Sequence, residues 1–354
     1  MKNKIRVAVI FGGRSAEHEV SLQSAKNVIE GLDKNKYEVI PIGINKNGEW
    51  FLGDKSISLA QNGQSVALLK GKNSSQLVNL SNSHSLGQID VVFPVLHGPY
   101  GEDGSVQGLI KLADIAHVGP GILGSAVCMD KDVTKRLLKE ADVAVAEFLV
   151  YLRQEKDKIN FDKVSKQLGL PMFVKPANLG SSVGVSKVNN EKEFKEAVDL
   201  AFSFDNKILI EESIKGREIE CAVLGNENPQ ASIPGEIIPS HDFYSYDAKY
   251  IDENGAKLKA PADLPPAIIS KIQKLAIQVF KILCVEGMAR VDFFLADTGK
   301  IYVNEINTIP GFTKISMYPK LWELSGISNS ELLDRLIMLA RKRHNRDQKL
   351  KTSY

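Results

Sequence analysis

The stretch Gly287–Thr313, GMARVDFFLADTGKIYVNEINTIPGFT, restricts what this chain can fold into more than any other. Two alternating apolar runs, Met288–Ala296 and Ile301–Ile306, flank the turn residues Asp297, Thr298, Gly299 and Lys300, which is the signature of a β-hairpin. A turn centred between Thr298 and Gly299 sets Asp292 opposite Glu305 and Arg290 opposite Asn307. Side chains two apart on a strand share a face, so all four then project to one side. Like charges directly opposite each other destabilise a strand pair by up to ~1 kcal/mol unless something lies between them. A divalent cation is the simplest occupant. Two carboxylates and an amide oxygen are hard ligands, and so few of them suit Mg²⁺, which takes its remaining positions from water and substrate phosphates. A solvated face with incidental acids is the plainer alternative, but it leaves Arg290 and the NTIPGFT segment without a role.

A chain of 354 residues that is 43% hydrophobic and 25% charged has room for two or three packed units. Lys and Arg total 45 against 43 Asp and Glu, a net charge of +2, which makes no case for nucleic acid or a membrane surface. The apolar run in MKNKIRVAVIFGG is too short for a signal-peptide core, and no segment approaches the ~20 apolar residues of a membrane span. Cys128, Cys221 and Cys284 lack metal-ligand spacing and read as small buried hydrophobes in a reducing cytoplasm.

Strand and helix patterns alternate over the first 120 or so residues: Ile5–Phe11, a helix from Ser21 to Leu32, Tyr37–Ile44 and Val91–Leu96. That order predicts a parallel α/β unit whose ligand face is the carboxyl ends of its strands, where Gly12-Gly13 and His97-Gly98 fall. A smaller α+β block follows and ends near Glu212, with strands at Phe148–Leu152, Met172–Val174, Val185–Val188 and Lys207–Glu211. The third unit holds Glu218–Leu224, a helix over Ala267–Leu283 and the hairpin. The expected boundaries are 1–121, 122–212 and 213–354. The aromatic stretch at 238–261 reads as a lid, and the basic end from Arg341 to Tyr354 as a frayed polar terminus.

Several local patterns carry chemistry. Val174–Gly184, VKPANLGSSVG, joins two strands by a Gly/Ser-rich loop whose N–H groups, hydroxyls and Lys175 suit phosphate, although it is not a Walker A loop. In KILIEESIKGRE, backbone groups past the strand can read an adenine edge while Glu218 holds a ribose; alone, this is a strand and a turn. HGPYGEDG offers Glu102 as an orienting acid and His97 as a donor near a developing charge. FGGRSAEHEVS places Glu17 at a helix start, where a capping acid is the bland alternative.

Taken in order, GGRSAEHEVS, HGPYGEDGSVQG, MDK, KPANLGSSVGVSKV, FYSYDAKY, RVDFFL and NEINTIPGFT resemble the D-alanine–D-alanine ligases, a family of the ATP-grasp fold, from about Ile5 to Arg341. The resemblance implies an α/β (α+β) ATP-grasp chain of three domains with an N-terminal Rossmann-like parallel α/β domain. It implies that Lys131 and Lys175 contact ATP phosphates, that Glu211, Ile214 and Glu218 surround adenosine, and that Lys249 reaches the transferring phosphate. Asp292, Glu305 and Asn307 match the family's Mg²⁺ ligands, a two-ion site in which Mn²⁺ substitutes. Glu17 would hold the ammonium of the first D-alanine and, with Ser181 and Tyr250, close the lid; His97 lies in the same substrate site. Arg290 and the Gly311 N–H would form an oxyanion hole, and Ser316 with Met317 would bind the second carboxylate. The implied reaction joins two D-alanine molecules through an acylphosphate, with ATP as co-substrate, in a cytoplasmic homodimer that makes peptidoglycan precursor.

The nearest competitor in class is a ligase joining D-alanine to D-lactate, and FYSYDAKY ending in Tyr250 favours the dipeptide. A nucleotide-binding protein without catalysis would not need Arg290. An oxidoreductase is weaker still, because GGRSAE lacks GxGxxG spacing.

Overall fold

The computed structural model describes residues 4–53, 63–71, 75–239 and 256–351. The first sheet runs, in spatial order, Trp50–Leu52, Tyr37–Ile44, Ile5–Gly12, Val91–Val95 and Ala116–His117. All its pairings are parallel except that of the edge strand Trp50–Leu52. Parallel strands are buried on both faces, and Val7 to Phe11 and Val91 to Phe93 are fully buried, as their unbroken apolar runs require. Beside this sheet lies a three-stranded antiparallel one, Val66–Lys70, Ser75–Asn79 and Ser85–Gln88, which the alternation of the sequence does not announce. The sheet order turns outward on either side of Ile5–Gly12 and Val91–Val95. At that switch point a cavity of about 330 Å³ opens, lined by Gly12, Gly13, Trp50, His97 and Tyr100 among others.

A four-stranded antiparallel sheet, ordered Ser186–Val188, Met172–Pro176, Lys207–Glu212 and Phe148–Leu152, has its own core. The helix Glu191–Phe204 seals it with Phe194, Val198 and Phe202. The last sheet runs Ala256–Lys259, Gly235–Pro239, Gly216–Gly225, Gly287–Ala296 and Ile301–Asn307. One face of it is covered by the helix Pro266–Ile282 through Ile272, Ala276, Val279 and Phe280.

The helix Asn329–Asp347 corrects the frayed-terminus expectation. Ser328 caps it, and Leu332, Leu333, Leu336 and Ile337 pack in the same core as Val7, Val9 and Phe93 of the first sheet. Each such side chain contributes ~1.5–3 kcal/mol of burial. Basic residues at its end are spent on contacts: the Arg343 guanidinium is buried and donates to Gly119 O at 2.6 Å and His117 O at 2.8 Å. The cysteine expectation also needs correction, since Cys128 and Cys221 are buried but Cys284, in a left-handed turn, is exposed.

His117 makes this clasp sensitive to acid. Its Nε2–H donates to Pro120 O at 3.1 Å, and burial, followed by the Arg343 charge, pushes the imidazole down to about 3. The unfolded chain takes up this proton near 6.5 and the folded chain near 3. The contribution is therefore complete above pH 6.5 and is lost as pH falls through that window, by ~2 kcal/mol at pH 5. Urea unfolding at pH 7.5 and 5.0 should show this loss, and His117→Asn should remove most of it. An unchanged pH slope in the variant would place the acid sensitivity elsewhere.

Candidate active site

The hairpin presents its acids by a route the regular ladder does not offer. Arg290 pairs with Asn307, Val291 with Ile306 and Asp292 with Glu305, as a turn between Thr298 and Gly299 requires. Past Asp292 the register shifts: Phe293 pairs with Val303, Phe294 with Tyr302 and Leu295 with Ile301. The turn is thus one residue tighter than expected, closed by Gly299 N–H to Ala296 O at 2.8 Å, and Asn304 is an extra residue that restores the register. Without this bulge Asp292 would face Asn304, and Glu305 would turn with Val291 into the core.

On the resulting face the Arg290 fork bonds both Asp292 oxygens, Nε at 2.8 Å and Nη2 at 2.7 Å, and Asn307 Nδ2 reaches Asp292 Oδ2 at 2.9 Å. Arg290 Nε also lies 3.1 Å from Glu220 Oε2, a buried carboxylate whose strand position is directly opposite Asp292. Burial alone would lower the Arg290 pKa, but Asp292 and Glu220 outweigh it and hold the guanidinium firmly charged.

Three lysines approach from the central unit. Asp130 caps the helix Lys131–Glu140, accepting from the N–H groups of Asp132 and Val133. Lys131 at its first turn bonds Leu179 O of the Gly/Ser-rich loop and lies 3.8 Å from Glu305. Lys175 sits 2.7 Å from Glu211, and Lys135 lies 3.4 Å from the other oxygen of the same carboxylate. Glu211 and Lys135 are almost wholly buried, so the Glu211 side chain holds lysines rather than facing a ligand. Burial tends to raise the Glu211 pKa, yet the two lysines win and hold it ionised; burial lowers that of Lys135. The sequence reading missed Lys135, although its spacing of four from Lys131 puts both on one helix face.

The other end of the cleft comes from the first unit. Glu17 stands at the N-cap of His18–Gly31 but caps nothing with its side chain. Its buried carboxylate accepts a short hydrogen bond from Ser181 Oγ, across 164 residues of chain. Ser181 and Ser182 hold left-handed φ values of 51° and 58°, a conformation costing a non-glycine residue ~1 kcal/mol or more. Gly98 allows the approach on the opposite side: a Cβ there would lie 2.8 Å from Ser15 Oγ and 3.0 Å from Glu17 Oε2.

His97 and Glu102 turn toward the C-terminal unit. The His97 Nδ1–H donates to Ile309 O at 3.1 Å, and Glu102 accepts from Gly98 N–H at 2.7 Å and Ile309 N–H at 3.3 Å. Burial, then the charge of Glu17, pushes the Glu102 carboxyl up to about 8. Three residues on, Phe312 N–H donates to Ser24 Oγ at 3.2 Å and Phe312 O accepts from Asn27 Nδ2 at 2.9 Å. Gly311 lies between these anchors, where a Cβ would meet Ser316 Oγ at 2.7 Å. Ser316 Oγ accepts from Thr313 N–H at 2.9 Å, while the Met317 side chain is buried in the core, which leaves its backbone at the helix start for any ligand. Glu218 and Ile214 are partly exposed at and before the strand Gly216–Gly225. Lys249, Tyr250 and most of the 238–261 lid lie outside the described residues.

The family model described as D-ala D-ala ligase N-terminus matches residues 6–120, and that described as D-ala D-ala ligase C-terminus matches 137–338. A D-alanine–D-alanine ligase of Shouchella clausii is 56% identical over 99% of this chain and 98% of its own length. Among solved structures, the D-alanine-D-alanine ligase from Coxiella burnetii superposes with a TM-score of 0.87 at 40% identity, covering 98% of this chain and 96% of that one. The VanG D-Ala:D-Ser ligase from Enterococcus faecalis gives 0.86 at 37% identity, covering 96% of this chain and 100% of that one.

Proposed function

The chain belongs to the D-alanine–D-alanine ligase family of ATP-grasp enzymes, and from that premise we propose that it joins two D-alanine molecules with ATP, through a D-alanyl phosphate, to supply peptidoglycan precursor. The observation that carries this reading is the convergence on one cleft of Glu17 with Ser181, the lysines Lys131 and Lys175, and the bulged hairpin with Arg290.

In this reading Glu17 and Ser181 seat the ammonium of the first D-alanine, with His97 beside them. Its carboxylate attacks the γ-phosphorus of ATP, the bond to the β,γ-bridging oxygen breaks and ADP leaves, and Lys131 and Lys175 offset the charge of the transferred group. Lys175 reaches phosphate from its place beside Glu211, which stays its anchor, while Lys135 is the second counterion of Glu211. Ile214 and Glu218 border adenosine. The neutral amine of the second D-alanine, its carboxylate held by Ser316 and the Met317 N–H, attacks the acyl carbon. Arg290 and the Gly311 N–H face the tetrahedral oxyanion, and phosphate leaves. Lys249 and Tyr250 would complete the site from the lid, shielding the acylphosphate from water.

Among the described residues no three His, Cys, Asp or Glu are gathered as a metal set. Asp292 and Glu305, with the Asn307 amide oxygen, nevertheless fit a hard divalent cation that completes its shell from phosphates and water. When bound, Mg²⁺ (two ions, with Mn²⁺ able to substitute) would neutralise charge on the transferring phosphate. Asp292→Asn should raise the Mg²⁺ concentration for half-maximal turnover by about tenfold or more; an unchanged titration would remove Asp292 from the ligand set. No described helix is long and apolar enough to cross a membrane, and we place the enzyme in the cytoplasm as a homodimer.

Identities of 56%, 55% and 52% to curated D-alanine–D-alanine ligases, each over 99% of this chain, favour D-alanine as second substrate. The test is phosphate release from Mg-ATP with D-alanine alone and with added D-serine or D-lactate, products being identified by mass. Dipeptide as the main product supports the reading. Predominant depsipeptide or D-Ala-D-Ser would overturn its substrate choice, and no phosphate release would overturn the ligase itself.

A further inference from the structure

The segment that carries Gly311 belongs to the C-terminal unit, yet the first unit grips it at both ends. Ile309 is held through both backbone groups, its N–H by Glu102 Oε1 at 3.3 Å and its C=O by His97 Nδ1 at 3.1 Å. Phe312 is held in the same double manner by Ser24 and Asn27, at 3.2 and 2.9 Å. Glu102 is the pivot of the first grip. Its other oxygen accepts from Gly98 N–H at 2.7 Å, and Gly98 is the residue pressed against Glu17. One partly buried carboxyl group thus ties the loop bearing the first substrate's contacts to the loop bearing the oxyanion donor, across 207 residues of chain.

We propose that Glu102 is a positioning residue for the second half-reaction, setting the Gly311 N–H where the tetrahedral intermediate forms. The inference rests on the ligase reading above. Phosphorylation of the first D-alanine uses Lys131, Lys175 and the hairpin acids, to none of which Glu102 is hydrogen-bonded, and Glu102 reaches Glu17 only by way of Gly98. Attack by the second D-alanine uses the N–H that its grip orients. Misplacing such a donor by a fraction of an ångström is expected to cost ~10- to 100-fold in the step that needs it. Glutamine in place of Glu102 keeps the shape but offers one carbonyl oxygen to two N–H donors, so one of the Gly98 and Ile309 N–H groups is left facing an NH2.

The experiment compares Glu102→Gln with the unmodified protein in two assays. Positional isotope exchange in ATP labelled at the β,γ-bridging oxygen reports reversible acylphosphate formation, and mass detection of D-alanyl-D-alanine reports the whole reaction. Exchange should stay within about threefold while dipeptide formation falls ~10- to 100-fold, with the KM for ATP unchanged. A parallel fall in both assays, or no fall in either, would overturn the inference. So would a rise confined to the KM of the first D-alanine, which would make Glu102 a charge partner of Glu17. If Glu102→Gln lacks a cooperative melt, Asn27→Ala, at the other anchor, must show the same split, and its absence there overturns the inference equally. Absence of both exchange and dipeptide in the unmodified protein would instead overturn the ligase reading along with it.

Discussion

Replacing Arg290 with methionine should abolish measurable dipeptide formation and lower the melting temperature by roughly 10 °C. Two losses combine. An oxyanion donor is worth ~10²- to 10³-fold in rate. The same guanidinium is also the shared partner of Asp292 and Glu220, two buried carboxylates at directly opposed strand positions. Removing one member of a buried charge cluster costs ~3–5 kcal/mol, because the remaining charges stay desolvated without their partner. Arg290→Lys separates the two losses: an ammonium keeps the charge but cannot bond both oxygens of Asp292 in a planar fork. Lysine should therefore recover most of the thermal stability and little of the rate. Equal recovery of both would reduce Arg290 to a structural ion-pair partner.

The hairpin shows how much of the site is legible in sequence. Alternation and turn chemistry place Asp292 against Glu305, and the structure agrees at that end of the ladder. The turn that justified the pairing closes one residue tighter, and the bulge at Asn304 compensates. Nothing in VNEIN marks an extra residue, since a bulge depends on what pairs along the strand's other edge. Here that edge meets the segment before Phe148, with Val303 N–H bonded to Ala144 O at 2.9 Å.

Lys135 and Glu220, and the partner that Glu102 orients, were hidden for a related reason. Lys135, Glu220 and Glu102 are ionisable residues whose meaning comes from a partner 70 to 207 residues away, and local pattern reports only what lies within a few turns. The resemblance identified the family but named residues that touch ligand, and these three act by holding such residues. The final helix was misread because a run of Arg, Lys and His reads as solvated. Its apolar face at Leu332, Leu333, Leu336 and Ile337 continues to Ala340, and Arg343 follows on that face into a buried carbonyl site.

The pair of lysines around buried Glu211, Lys135 buried with it and Lys175 partly exposed, leads to the second large effect. Glu211→Gln leaves the ammonium groups of Lys135 and Lys175 facing a neutral amide, with Lys135 1% exposed. The expected cost is ~3–5 kcal/mol, concentrated in the central sheet, and ATP affinity should fall at least tenfold as Lys175 loses its anchor. A structural collapse and a charge imbalance are distinguished by the double variant. Lys135→Met with Glu211→Gln removes a cation together with the anion, filling the space with an unbranched apolar chain of similar length. That pair should be more stable than Glu211→Gln alone, because the uncompensated buried charge has gone, while ATP affinity stays low because Lys175 is still unanchored. Urea unfolding and nucleotide titration on the three variants test this, Lys135→Met alone being the third. If the double variant is the less stable of the two, Lys135 is a packing residue whose ammonium plays no part in holding Glu211 in place as the anchor of Lys175.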